Sequence, residues 1–257
     1  MLKALKPYLQ SMLAQREMTF WSDRAKRARK MDLPTLRDSR NKARALKTQL
    51  DDLLYVAEGR LALPMEGLNI FPTPHGTDWS WRPELWRGPL PVKGLASVPS
   101  QSKLGEEITL FHDCNYSELS LRQLRNRREE DLAPYGLRMD VFAFDGSFLS
   151  LVINLPKDAI TGLTKSHLIR VSAIVETEKP LEIFGRLNVV HGPNTEQVVR
   201  ELPLNQKEVV VEFDMAYTNL NEKRVEKAWL DLIFEGPEMN QVVVRDLTFA
   251  RCPRAEM

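Results

Sequence analysis

Between Ile108 and Arg251 the chain is written in short apolar or alternating runs, each closed by a turn signal. That rhythm limits the possible folds more than any other feature. The runs are ITLFHD (108–113), MDVFAFD (139–145), SFLSLVINL (147–155), LIRVSAIVET (168–177), LEIFGRLNVV (181–190), EQVVREL (196–202), EVVVEFDM (208–215), AWLDLIFE (228–235) and VVVRDLTFAR (242–251). Asp145-Gly146, Glu178-Lys179-Pro180, His191-Gly192-Pro193-Asn194 and Gly236-Pro237 separate them with residues that favour tight turns. Nine candidate strands without long amphipathic helices between them predict an antiparallel jelly-roll β-sandwich rather than a parallel α/β sheet. Two stretches break the rhythm. SELSLRQLRNRREEDLAPYG (117–136) reads as a helix or a long excursion, and NLNEKRVEK (219–227) as a short helix or polar loop.

The N-terminal part follows another period. Leu2, Leu5, Leu9, Met12 and Leu13 recur at steps of three and four, which places them on one helix face. After Phe20 and Trp21 come Arg24, Lys26, Arg27, Arg29 and Lys30, too dense in charge to be buried. A second helix is delimited by Asp32 as N-cap and Pro34 in its first turn. Leu36, Ala43, Leu50 and Ala57 are spaced by seven with Leu46 and Leu53 between, a short packing seam, and Arg37, Arg40, Arg44 and Lys47 form a basic stripe beside it. The chain as a whole is nearly neutral, with 36 Lys and Arg against 35 Asp and Glu. Yet 13 of the basic and only 4 of the acidic residues lie in the first fifty positions. A basic helical arm (1–62) therefore precedes an acidic body (104–257), and charge asymmetry of this kind bears on partners more than on fold.

Between them, a strap (63–103) holds Pro64, Pro72, Pro74, Pro83, Pro89, Pro91 and Pro99, which oppose both helix continuation and sheet pairing. It also holds Trp79, Trp81 and Trp86. Rings of this size imply packing on the body, with the alternative that one or two are exposed as a stacking platform. The fold class is thus mainly β with an α-helical N-terminal arm: a jelly-roll sandwich preceded by two helices and a Pro/Trp-rich strap.

The final hairpin, joined by EGPEMNQ and ending in VVVRDLTFAR, resembles the closing hairpin of galactose-binding-like and carbohydrate-binding-module jelly rolls, over roughly 108–251. The phrases FHDCNYSEL, FDGSFLSLV, RLNVVHGPNTEQ, AWLDLIFEGPEMNQ and CPRAE also resemble an alphaproteobacterial family of unknown function. The first resemblance implies a fold that hosts many functions; the second implies an architecture without an activity.

No nucleotide-binding glycine loop, nucleophile elbow or zinc-protease motif occurs, so no catalytic, metal or cofactor site is expected. His112-Asp113-Cys114 is unsuited to a metal because neighbours on a strand point to opposite faces. Arg122, Arg125, Arg127 and Arg128 can hold an anion, although Glu129, Glu130 and Asp131 beside them favour mutual neutralisation. The pattern favours a non-catalytic binding or scaffolding protein. If its sandwich recognises a glycan, the candidates are Trp79, Trp81, Trp86 and Tyr116 for stacking, and His191, Asn194 and Glu196 for hydrogen bonds. The arm cluster Arg24, Lys26, Arg27, Arg29 and Lys30 is the candidate surface for an anionic membrane or a protein partner. A carbohydrate-active enzyme with a carboxylate pair such as Asp231 and Asp246, and a structural homo-oligomer without a ligand, remain as alternatives. Nucleic acid is not favoured, because no base-reading motif accompanies the charge. Two cysteines, Cys114 and Cys252, make no disulfide framework, and neither a signal peptide nor a spanning apolar run is visible. The expected location is therefore cytoplasmic, peripheral at the inner membrane surface if the arm binds lipid.

Overall fold

The structure, a computed structural model, describes residues 2–61, 71–116, 118–128 and 131–254. The expected apolar face Leu2, Leu5, Leu9, Met12 and Leu13, and the carboxylates Glu129 and Glu130, lie outside the described side chains. The chain divides into two compact units, Met1–Val56 and Ala57–Met257.

The first unit is helical. Helix α1 (Leu2–Arg27) ends in a 3-10 turn at Ala28–Lys30, and α2 (Leu33–Leu61) follows. Asp32 caps α2 as its sequence predicts: its carboxylate accepts the Thr35 N–H at 3.0 Å, which holds the carboxyl below its ordinary range. Along α2, Lys42 reaches Asp38 at 2.9 Å, an i,i+4 pair on the helix surface. Leu46, Leu50, Leu53 and Leu54 are exposed.

The second unit is an antiparallel β-sandwich of jelly-roll type. Its strands are β1 (Trp79–Trp81), β2 (Gly94–Ala96), β3 (Ser102–Leu104), β4 (Ile108–His112), β5 (Glu118–Arg125), β6 (Tyr135–Ala143), β7 (Leu149–Asn154), β8 (His167–Thr177), β9 (Glu182–His191), β10 (Asn194–Glu201), β11 (Val209–Asp214), β12 (Val225–Glu235) and β13 (Asn240–Pro253). Among the described residues, one sheet runs β11-β8-β13-β6-β5-β2 with β1 also on β13, and the other runs β10-β9-β12-β7-β4-β3. The alternation read from the sequence fills the space between them. Strand β12 turns Ala228, Leu230, Leu232 and Phe234 inward, and β13 contributes Val242, Val244, Leu247 and Phe249. Each such Val, Leu or Phe side chain contributes roughly 1.5–3 kcal/mol through removal from water. Gly185 on β9 also faces inward, where an added Cβ would lie 3.2 Å from the Phe213 ring and 3.3 Å from Leu202.

Two expectations are corrected here. The stretch 117–136 is not a helix: it contains β5, whose alternating Leu119 and Leu121 enter the core while its charged residues face outward. The strap does pair. Its strands are three residues long and fit between the prolines, β1 lying between Pro74 and Pro83 and β2 between Pro91 and Pro99. A one-turn helix, α3 (Glu84–Arg87), then seats Leu85 and Trp86 in the core. Arg82, only 1% exposed, makes a bidentate pair with Asp246, both contacts at 2.8 Å, and lies 5.1 Å from the Phe71 ring centroid.

Candidate functional site

The outward face of the β10-β9-β12-β7-β4-β3 sheet carries the candidate site. Its residues come from strands far apart in sequence, and the register aligns them in rows. One row across β10, β9, β12 and β7 is Gln197, Asn188, Trp229 and Asn154. The next, reaching β3, is Val199, Arg186, Asp231, Val152, Thr109 and Lys103. A third is Glu201, Phe184, Ile233, Ser150 and Phe111. Apart from Val199, Lys103, Glu201 and Phe184 at their margins, these rows line, with Phe148 and Lys227, an open trough of about 600 Å³, within the size of small-ligand sites.

Its floor is polar and held in place. Gln197 donates to the Asn188 side-chain oxygen at 2.9 Å, and Asn188 donates to Asp231 Oδ2 at 3.0 Å. Arg186 donates to that same oxygen through Nε at 2.8 Å, and its Nη2 lies 2.7 Å from it in an ion pair. The buried carboxylate thus anchors a guanidinium and two amides, which arrive pre-oriented for a ligand. Ser150 Oγ is buried without a hydrogen-bond partner among the described residues, although its row opens to the trough. Such a hydroxyl is costly to leave unmatched.

Beside these groups, in the row of Asn188 and Asn154, lies the half-buried indole of Trp229, with Lys227 Nζ 5.0 Å from its ring centroid. Alternation with Trp229 sets the lysine on this face, and a β-bulge in β12 precedes it. Pairing with β9 slips between Val225 and Lys227, so Val225 packs on the core while Lys227 joins the trough.

The residues singled out from sequence fall mostly elsewhere. Trp86 is fully buried and Trp81 is 8% exposed, so neither offers a ring face to a ligand. That corrects the stacking role expected of them. Trp79 is half-buried and stacks on Trp81 at 6.3 Å. His191 is buried at the inward end of β9, its Nδ1 accepting the Asn221 N–H at 3.2 Å, and Glu196 accepts the Asn219 N–H at 3.1 Å. Both hold the loop before β12, which leaves only Asn194 exposed at the hairpin tip. Tyr116 is 82% exposed in the loop after β4, outside the trough lining.

His112 is structural: its Nε2 lies 2.9 Å from the Val98 carbonyl and its Nδ1 accepts the Cys114 N–H. Asp231 and Asp246 sit on different sheets, each bound to its own arginine, so they are not a catalytic pair. Cys114 and Cys252 are both free thiols. Among the described residues no three His, Cys, Asp or Glu converge as metal ligands, and no helix is long and apolar enough to cross a membrane. In the arm, Lys26, Arg27, Arg29 and Lys30 are exposed, and Arg24 is half-buried with its guanidinium 4.8 Å from the Phe20 ring centroid.

Trp229 and Arg186 lie inside strands that read as packing material, and Asp231 stands out in the sequence only as a possible partner of Asp246. One signal was present. With Ala228, Leu230 and Leu232 facing the core, alternation leaves a tryptophan on the polar face of β12.

No curated protein matches the sequence. Among solved structures, the enzymatically active domain of bacteriophage CBA120 tailspike protein 4 is similar at 6% identity and a TM-score of 0.42, over 60% of this chain and 21% of that one. The chain therefore spans about a fifth of that protein's length. The family 11 carbohydrate-binding module from Clostridium thermocellum, solved with a β-1,3-1,4-mixed-linked tetrasaccharide, aligns at 13% identity and a TM-score of 0.39, over 64% of this chain and 97% of that one. The C-terminal family 22 carbohydrate-binding module of Clostridium thermocellum Xyn10B aligns at 9% and 0.36, over 73% and 99%. At the level of sequence, the family of unknown function DUF6478 matches residues 1–257 from end to end, and the chain belongs to that family.

Proposed function

We propose that this protein is a non-catalytic binding protein whose sandwich recognises a glycan on the outward face of the β10-β9-β12-β7-β4-β3 sheet. The observation that carries this is Trp229, a half-buried indole set in one row beside hydrogen-bonded amide groups and next to the Arg186 guanidinium. A sugar ring has an apolar C–H face and a polar edge of hydroxyls. It therefore suits a flat aromatic surface flanked by planar donors and acceptors. The open trough admits a chain lying across the strands. Full-length protein should be retarded in native gels containing a soluble polysaccharide drawn from a neutral and acidic panel, and Trp229→Ala should abolish the retardation. Retardation that survives Trp229→Ala, or none with any polysaccharide, removes this assignment.

The arm supplies a separate attachment in this proposal, to an anionic lipid surface. Exposed Leu46, Leu50, Leu53 and Leu54 fall on one helical face, with Arg37, Arg40 and Arg44 along its flank and without a carboxylate partner among the described residues. A basic flank beside an apolar stripe matches acyl chains below and phosphates above. It also opposes self-association along the same stripe, because like charges would face each other. Vesicles of phosphatidylglycerol should co-sediment the protein, those of phosphatidylcholine should not, and Arg40→Glu with Arg44→Glu should release it. Sedimentation unaffected by that double substitution, or equal on both vesicles, argues against a lipid partner.

A further inference from the structure

Resting on the glycan assignment above, we infer that the ligand is an acidic glycan, its carboxylates received by Lys227 on one side of the Trp229 ring and by Arg186 on the other. The trough is a local exception in a body whose charge is otherwise acidic: outside the first fifty residues the chain carries 23 basic and 31 acidic groups. Lining the trough are Lys227, Arg186 and a single carboxylate, Asp231. That carboxylate is already engaged within the protein, by two Arg186 nitrogens and by Asn188. Its exposure is only 4%, so it offers little negative potential to a ligand.

The two cations retain unused valence. Lys227 makes no ion pair among the described residues, and its ammonium lies against the Trp229 ring. Arg186 directs Nε and Nη2 at Asp231, and its Nη1 has no hydrogen bond among the described residues although the side chain is 37% exposed. On β12, Lys227, Trp229 and Asp231 are alternate residues of one face, about 7 Å apart in succession. A pyranose stacked on Trp229 would therefore have Lys227 beyond one edge and the Asp231-bound guanidinium beyond the other. A neutral sugar engages these groups only through hydroxyls. A uronate carboxylate forms charge-assisted hydrogen bonds to them, roughly twice as strong.

Titration calorimetry of the full chain against hexagalacturonate and cellohexaose separates the possibilities. The expected result is binding of hexagalacturonate that weakens with added salt, falls about tenfold in Lys227→Gln, and is lost in Trp229→Ala. Cellohexaose should bind more weakly, with no salt dependence and no response to Lys227→Gln. If cellohexaose binds as well as or better than hexagalacturonate, or if Lys227→Gln changes neither, the acidic-ligand inference fails while the glycan assignment stands. If neither oligosaccharide binds, the inference fails, and the polysaccharide panel then decides the glycan assignment by itself. Near-ultraviolet circular dichroism of Lys227→Gln should match that of the parent, which separates lost charge from lost structure.

Discussion

The indole N–H of Trp86, at the end of a one-turn helix in the proline-rich strap, donates to the main-chain oxygen of Val244 in the middle of β13 at 2.9 Å. That oxygen lies next to the register shift between Val244 and Asp246, so the strap's ring seals a point where the ladder is interrupted. Trp86→Phe, which keeps most of the volume and removes the donor, should cost about 1–3 kcal/mol, and Trp86→Ala about 3–5 kcal/mol. Equilibrium denaturation in urea measures both. Glycan binding by the folded fraction should be unchanged.

Arg82 and Asp246 bracket the same irregularity. Asp246→Ala leaves a guanidinium buried at 1% exposure and should destabilise the fold by about 3–5 kcal/mol. Replacing both partners, with Arg82→Met and Asp246→Leu, should recover most of that loss, because two apolar groups carry no desolvation cost. A double-mutant cycle by chemical denaturation reads the difference.

At the candidate site the expected pattern is reversed. Trp229 lies outside the core, so Trp229→Ala should change stability by no more than about 1 kcal/mol while weakening glycan affinity by about tenfold or more. A melting curve and a titration on the same preparation test both halves.

Gly185 allows the sandwich to close around Phe213. Gly185→Ala sets a methyl group against that ring and Leu202, and should destabilise the protein by about 1–3 kcal/mol. Adding Phe213→Leu, which withdraws the ring tip, should return part of it.

Acid should weaken the fold through two surface-side carboxylates. Arg251 hydrogen bonds hold Asp78 below its ordinary range, and Arg245, then Arg128, do the same for Glu176. Their folded pKa values lie below the unfolded ones, so the stability they contribute is complete above about pH 5 and is lost as pH falls through the folded values. Both groups are partly solvated, which limits each contribution to less than about 1 kcal/mol. The melting temperature should be level between about pH 7 and 5 and fall below about pH 4, less steeply in Asp78→Asn.

Much of the sandwich can be read in the sequence because burial on one face imposes a period of two. LIRVSAIVET and AWLDLIFE declare their inward residues without knowledge of their partners. Strand β5 is harder to recognise because ELSLRQLR carries arginines at steps of three, a helical spacing that competes with the alternation of Leu119 and Leu121. The trough is harder still. Phe111 and Asp231 are 120 positions apart and meet only through the register of β4, β7, β12 and β9, which local pattern does not encode. The size of the strap tryptophans suits a stacking platform and a core equally, and Trp81 and Trp86 belong to the core.

Strand β13 lies between β8 and β6 and also carries β1, so it is the hub of its sheet although it is the final strand in the sequence. During synthesis, β1, β6 and β8 emerge before the strand that joins them, with their hydrogen-bonding edges open. The β10-β9-β12-β7-β4-β3 sheet can assemble earlier, without β13. Nascent chains should therefore pass through a stage in which the trough-bearing sheet is paired and its inner apolar face still awaits a cover. Closure of the sandwich thus rests on pairings between strands distant in sequence, the kind of topology that slows folding.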